Sequence, residues 1–181
     1  MTYRPKLFTG IELDDQTRVV CAQIASRLEA AGLRGRFEAP EKLHITVAFL
    51  GWVNAEQVEP IRDGLRQAAG ELSPFAIALD TIGAFPHERN PHIVWIGSRE
   101  RNRAFERLAG TLRSAYEPLG FTFQKEAIPH VTVARIKTDK QHLPMLEISP
   151  LQLNVRHITL FESMPAGRTT RYEIVHQARL G

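Results

Sequence analysis

Three places in the sequence set a histidine two residues before a threonine: His44-Ile45-Thr46, His130-Val131-Thr132 and His157-Ile158-Thr159. Side chains on an extended strand alternate between faces, so each histidine shares a face with its threonine, about 6.6 to 7 Å along the chain. An imidazole titrates near neutrality and can take or give a proton, while a threonine hydroxyl can hold an anionic oxygen. Two such pairs facing one another would supply a base on one side of a substrate and an acid on the other, as an in-line displacement at phosphorus needs. A lone His-x-Thr is an ordinary feature of a half-exposed strand. A matched second copy changes that reading, and the first two copies do match, as "HITVA" and "HVTVA", close to half the chain apart. That spacing predicts a duplicated half-domain with the two matching strands facing each other across a pseudo-twofold axis.

Simple alternation assigns the faces of the first strand: Ile45, Val47 and Phe49 form its apolar side, and His44, Thr46 and Ala48 the other. By the same count the His/Thr face of the third copy continues into the aromatic Phe161, where the first two continue into Ala48 and Ala134. A small residue leaves room for a ligand, so His157 is read as structural. His87, His92, His142 and His176 have no matched partner, and His87 and Arg89 fall in the loop "PHERN". Metal binding is the competing chemistry for histidine. Zinc, however, usually takes three or four ligands, and the sequence has no H-x-H or H-E-x-x-H and only one cysteine. A metal-dependent hydrolase recruiting His157 and a non-catalytic RNA-binding module remain the rival readings.

The elements that must position these side chains are legible from caps and punctuation. "KLFTGIEL" (6 to 13) reads as a strand, and Asp14 or Asp15 caps a helix through about Ala31. "GLRGRFEAPEK" carries Gly and Pro punctuation and reads as loop. "NAEQVEPIRDGLRQAAG" predicts a second helix with Asn54 at the cap, Gln57 in the capping-box position and Pro60 as a point of cost or a break. "PFAIALDTIGAF" and "PHIVWIGS" are strands around "PHERN", a hairpin-like pair. "RERNRAFERLAGTLRSAYEPLG" is a third, amphipathic helix closed by Gly120. "IPHVTVARIK", "LQLNVRHITLFES" and "TRYEIVHQARL" complete the set as strands. Sequential strand pairs without strict β-α alternation predict an α+β fold with antiparallel sheets. Neither G-x-G-x-x-G nor G-x-x-x-x-G-K-[ST] occurs, which argues against a Rossmann or P-loop enzyme.

Composition narrows the class without naming a function. The 181 residues are 43% hydrophobic and 24% charged, the balance of an average globular domain. The formal net charge of +3 is modest, but 18 of the 23 cations are arginine, whose planar fork matches phosphate. The single cysteine, Cys21, excludes an internal disulfide and sits at helical spacing with Val20, Ile24 and Leu28, a packing position. No basic leader with an apolar core precedes "MTYRPKLFTG", so a cytoplasmic, soluble protein without membrane association is expected.

Paired H-x-T-x strands in a chain of this length resemble the two-histidine (2H) phosphoesterase superfamily, in particular its RNA 2',3'-cyclic phosphodiesterase branch, also called 2'-5' RNA ligases. "LFTGIEL", "HITVAFLG", "IGAFPHERNPHIVWIG", "HVTVAR" and "LFESMPAGRTTRYEIV" follow the order expected of that branch over almost the whole chain. The resemblance implies a bilobal α+β fold over residues 1 to 181, with a cleft between two pseudo-symmetric lobes, each an antiparallel sheet with outer helices. It implies metal-independent opening of a 2',3'-cyclic phosphate on RNA ends or nucleotides to a 2'-phosphate, with no cofactor, and the reverse 2'-5' joining by microscopic reversibility. Carried over, His44 is the proton donor to the departing 3'-oxygen and His130 the proton acceptor from water, an assignment near-symmetric motifs alone do not make. Thr46 and Thr132 hold the phosphate oxygens. Arg135 matches the family's H-x-T-x-A-R ending as a further phosphate contact. Alternation sends it to the face opposite His130, so only a bulge or a strand end brings it to the cleft, and a plain surface salt bridge is the alternative reading. Both histidines come from one chain, so a monomer suffices.

Overall fold

A computed structural model of the chain describes residues 3–124, 126–137, 141–167 and 169–181. Arg168, within the closing segment quoted above, and the lysines Lys125 and Lys140 lie outside the described residues.

Strand β1 (Lys6–Glu12) leads into helix α1 (Asp15–Ala30), where the Asp14 carboxylate accepts from the Thr17 N–H at 2.7 Å and satisfies one of the four free N–H groups of the first turn. The segment read as loop holds a two-residue strand, β2 (Arg36–Phe37), and a 3-10 turn, Pro40–Lys42, directly before β3 (His44–Trp52). A 3-10 turn, Ala55–Gln57, then feeds α2 (Val58–Gly70), and the Gln57 side chain accepts from the Asn54 N–H at 3.0 Å. Pro60 does not break this helix. It is the third residue of α2, in the turn whose N–H groups have no intrahelical acceptor, so the missing donor costs nothing there.

Two of the predicted long strands divide. "PFAIALDTIGAF" becomes β4 (Phe75–Leu79) and β5 (Thr81–Phe85), and "LQLNVRHITLFES" becomes β8 (Leu151–Val155) and the start of β9 (His157–Ala166), with β6 (Ile93–Gly97) and β7 (His130–Arg135) between them in sequence. Each break lets one chain segment serve two sheets: β4 pairs β8, whereas β5 pairs β6 in the predicted hairpin. Helix α3 (Arg103–Tyr116) is capped by Asn102, which accepts from the Phe105 N–H, and Gly120 ends the following 3-10 turn with φ 91°, a left-handed conformation open to glycine. β10 (Thr169–Arg179) closes the chain.

The strand order β10-β9-β1-β3-β7-β6-β5, with β2 beside β7, consists of two antiparallel halves. β3 and β7 meet at a single pair, Ile45 opposite Val131, so the lobes are joined sheets and not separate ones. The helices exchange sides. α1 leaves the first lobe and packs on β7 of the second, while α3 leaves the second lobe and packs on β3 of the first. One continuous cluster of buried apolar side chains therefore runs through both lobes, with Ile45 and Val131 fully buried at the seam. Gly64 of α2 closes the helix layer, since a Cβ there would stand 3.1 Å from both Ala115 and the Tyr116 ring on α3. The Tyr116 hydroxyl reaches through to share a 3.1 Å hydrogen bond with Thr9 of β1. No helix among the described residues is long and apolar enough to cross a membrane.

Candidate active site

The seam between the lobes carries the chemistry. An antiparallel crossing at Ile45 and Val131 sets the two histidines on opposite sides of the crossing point, with the threonines on the same exposed face. A cleft of about 300 Å³ opens there, lined by His44, Thr46, His130, Thr132 and Arg135 together with Glu38, Lys42, Phe49 and Tyr172. The structure thus brings together all five residues singled out in the sequence. His157 is not among those lining the cleft; it is exposed at the start of β9, opposite Arg179, and its Thr159 is buried and donates to Glu12 at 2.7 Å. Among the described residues no three His, Cys, Asp or Glu side chains cluster closely enough to share a metal ion.

Both imidazoles are anchored in the same way. His44 Nδ1 lies 2.7 Å from the Lys42 carbonyl oxygen, and His130 Nδ1 lies 2.8 Å from that of Ile128, in each case two residues back along the chain. A carbonyl only accepts, so Nδ1 carries the proton in both rings and Nε2 is left as the nitrogen for chemistry. At His44 that Nε2 lies 3.1 Å from the Thr46 hydroxyl. Aromatic rings wall each imidazole: Phe8 and Tyr172 at 4.9 and 5.0 Å from His44, Phe85 and Trp95 at 5.2 and 6.1 Å from His130.

Burial holds His44 below the ordinary histidine range; the Lys42 carbonyl and the Glu38 carboxylate pull it back up, and the charges of His130 and Arg135 push it further down. His130 is lowered by burial first and by Arg135, against its own Ile128 carbonyl.

The strand faces differ from simple alternation, and the reason is a bulge in each motif strand. Between Thr9 and Gly10 of β1 the facing residues on β3 step from Ala48 to Thr46, leaving Val47 as the extra residue. Between Val94 and Trp95 of β6 the facing residues on β7 step from Ala134 to Thr132, leaving Val133. An inserted residue resets the period of two. Ala48 and Ala134 therefore point inward, only 2% and 0% exposed, and are not the open floor of the site. Phe49 turns outward to 56% exposure and lines the cleft instead of anchoring the apolar side. By the same step Arg135 swings onto the face of His130 and Thr132.

Arg135 is held there by Glu38, whose Oε1 lies 2.9 Å from Arg135 Nε and whose Oε2 lies 3.2 Å from Lys42 Nζ; Arg36 approaches the same carboxylate at 3.3 Å. Glu38 is placed by the pairing of β2 with β7 and by its own N–H, which donates to the carbonyl of the bulged Val133. Burial pushes the Glu38 carboxyl up, but Lys42 and Arg135 outweigh it and hold the group below its ordinary value. Lys42 also stands 5.5 Å from the Tyr172 ring centroid. Glu38 and Lys42 escape the sequence reading because their segment reads as punctuation. The signal available was their i, i+4 pairing just before the first motif.

With Lys6, Arg36, Lys42 and Arg135 lining it against the carboxylate of Glu38, the cleft is a cationic pocket under two imidazoles and two hydroxyls, the composition of a site for acid–base chemistry on a phosphate ester. Comparison with known proteins agrees. The profile of the family described as LigT like Phosphoesterase matches residues 11–95 and again residues 96–171, one motif in each half, and the chain belongs to that family. It is similar to the RNA 2',3'-cyclic phosphodiesterase of Archaeoglobus fulgidus, 35% identical over 133 residues and 73% of each chain. The enzyme of that name from Methanothermobacter thermautotrophicus is 27% identical over 171 residues, 90% of this chain and 92% of its own. Among solved structures, a protein of Thermus thermophilus superposes with a TM-score of 0.85 at 25% identity over 97% of both chains. Escherichia coli LigT complexed with 3'-AMP gives a TM-score of 0.76 at 28% identity, covering 98% of this chain and 99% of its own.

Proposed function

We propose that this chain opens the 2',3'-cyclic phosphate at an RNA end, or on a nucleotide, to a 2'-phosphate by metal-independent acid–base catalysis. The observation that carries the reading is the matched pair of Nδ1 anchors, which leaves His44 and His130 each a single nitrogen for proton transfer, on opposite sides of the seam. His130 Nε2 takes a proton from water as its oxygen attacks phosphorus, the P–O3' bond breaks on the far side, and His44 Nε2 delivers its proton to the departing O3'. Thr46 and Thr132 donate to the non-bridging oxygens as charge accumulates, and Arg135, braced by Glu38, neutralises them. The donor and acceptor roles follow the family resemblance, and the substrate class follows the names of the relatives. With the 5'-hydroxyl of a second RNA end in place of water, the same groups join the ends through a 2'-5' bond: His130 takes the hydroxyl proton, the 5'-oxygen attacks phosphorus, the P–O3' bond breaks and His44 protonates the departing O3'. The test is incubation of chelator-treated protein with 2',3'-cyclic AMP and with a short RNA bearing a cyclic phosphate: the 2'-phosphate as product supports the reading, and the 3'-phosphate or no product overturns it.

A further inference from the structure

The cleft does not stop at the reacting groups, because β3 carries a second bulge. Between Leu7 and Phe8 of β1 the facing residues step from Gly51 to Phe49, leaving Leu50 as the extra residue, and Gly51 takes φ 76°, a left-handed conformation glycine adopts without strain. The two bulges together align His44, Thr46, Phe49 and Trp52 on one face, while Ile45, Val47 and Leu50 are buried. Phe49 and Trp52 are 56% and 62% exposed, large rings left in water directly beside the cleft. Lys6, which pairs with Trp52 across the strands, holds its ammonium 5.6 Å from the Phe49 ring centroid and 5.9 Å from that of Trp52. Lys6 lines the catalytic cleft and also the adjoining hollow, where Arg4, Tyr3 and Trp52 stand; the acid in that hollow, Glu162, accepts from the Tyr3 hydroxyl.

Exposed aromatic faces interleaved with cations are what single-stranded nucleic acid stacks on and tracks along. We propose that Phe49, Trp52 and Lys6 form a stacking platform for the nucleotides immediately 5' to the cyclic phosphate, so that this chain prefers an RNA end to a free cyclic nucleotide. The occupant is RNA because the platform is continuous with the phosphate site through Phe49 and Lys6 and its charge is positive where the strand's next phosphate would pass. This inference rests on the proposed function and adds to it the direction in which the strand leaves.

The experiment compares kcat/KM for 2',3'-cyclic AMP and for a pentaribonucleotide ending in a cyclic phosphate, in the wild type, Trp52→Ala and Trp52→Phe. Trp52 does not line the cleft around the histidines. Trp52→Ala is expected to leave the mononucleotide rate unchanged and to lower the pentamer rate roughly fivefold or more, with Trp52→Phe restoring it. Equal loss on both substrates, or no loss on either, overturns the platform; the latter would send the strand along the cleft's other flank, past Phe85 and Phe123. A wild type inactive on both substrates counts against the proposed reaction instead. The platform then stands or falls on fluorescence-anisotropy affinity for a pentamer with a 3'-phosphate, weakened in Trp52→Ala if it is right and unchanged if it is wrong.

Discussion

Phe49 and Arg135 occupy equivalent places on β3 and β7, each five residues beyond its histidine and one bulge beyond its threonine, and both face the cleft. The duplicated halves thus agree in their histidines, threonines, carbonyl anchors and the bulge that follows each threonine, and at this position they set an uncharged ring against a guanidinium. A near-symmetric scaffold with a guanidinium on one motif strand and an uncharged ring at the matching place on the other has two inequivalent ends, which two identical half-sites would not have.

If the two imidazoles transfer protons, neither can be spared. His44→Ala and His130→Ala should each lower kcat on a cyclic-phosphate substrate by at least about 100-fold. His157→Ala, on an exposed strand end outside the cleft, should leave the rate unchanged. Initial-rate assays in the presence of a chelator check all three variants, and near-full activity in either motif variant would sink the two-histidine mechanism.

The lowered titration of both histidines fixes the sign of the pH dependence. In the proposed mechanism the productive form carries a proton on His44 and none on His130, and burial makes His44 lose that proton below the ordinary value of about 6.5. Accordingly kcat/KM, which reports the free protein, should peak on the acid side of that value and decline as pH rises. A bound phosphate anion stabilises the imidazolium, so the alkaline limb of kcat should lie at higher pH than that of kcat/KM. Rate profiles from about pH 5 to 9 decide it, and coincident limbs would show that the phosphate is not next to the histidines.

Glu38 and Arg135 push His44 in opposite directions, which separates their roles from simple scaffolding. Glu38→Gln removes a charge that favours the imidazolium and should move the alkaline limb of kcat/KM to lower pH. Arg135→Gln removes an opposing charge and should move it to higher pH, while also costing about 10²-fold in rate through loss of the proposed phosphate contact. Shifts in the same direction would be incompatible with the charge arrangement around the cleft.

The sequence made the histidine pair, the three helices and the α+β class legible because each rests on local chemistry: Asp14 caps α1, Gly120 takes the left-handed turn, and the motif repeats in plain sight, whereas the start of α3, read from Arg99, lies four residues on, behind its Asn102 cap. What it concealed was which way Phe49 and Ala48 point. A bulge inserts one residue against a partner strand, so it is decided by the pairing of β3 with β1 and of β7 with β6, and leaves no mark in the alternation of the strand itself. For Arg135 the sequence-level conflict was informative: a cleft residue on the wrong face by simple alternation required the bulge that β7 has. The breaks between β4 and β5 and between β8 and β9 were hidden for the same reason, since a change of partner strand is decided by the pairing and the segment itself reads as one extended stretch.

Gly10 is where the bulged register should prove least tolerant of change. It faces Thr46 on one side and Thr159 on the other, and a Cβ at this position would stand 2.8 Å from the Ile45 carbonyl oxygen and 3.3 Å from the Phe161 ring. The first contact is backbone, at the residue between His44 and Thr46, and cannot rotate away. Gly10→Ala should therefore destabilise the fold by about 1–3 kcal/mol, lowering the thermal midpoint by roughly 2–4 °C per kcal/mol. It should also reduce the rate at temperatures where the protein remains folded, because relief of the clash displaces β3 at the motif. Gly110, inside α3 with open space around its Cβ position, supplies the opposite sign: Gly110→Ala should stabilise by about 0.5–1 kcal/mol and leave the rate alone. Thermal melts with parallel rate assays test the pair, and a Gly10→Ala protein as stable and active as the wild type would mean that β1 and β3 are not held in this close register.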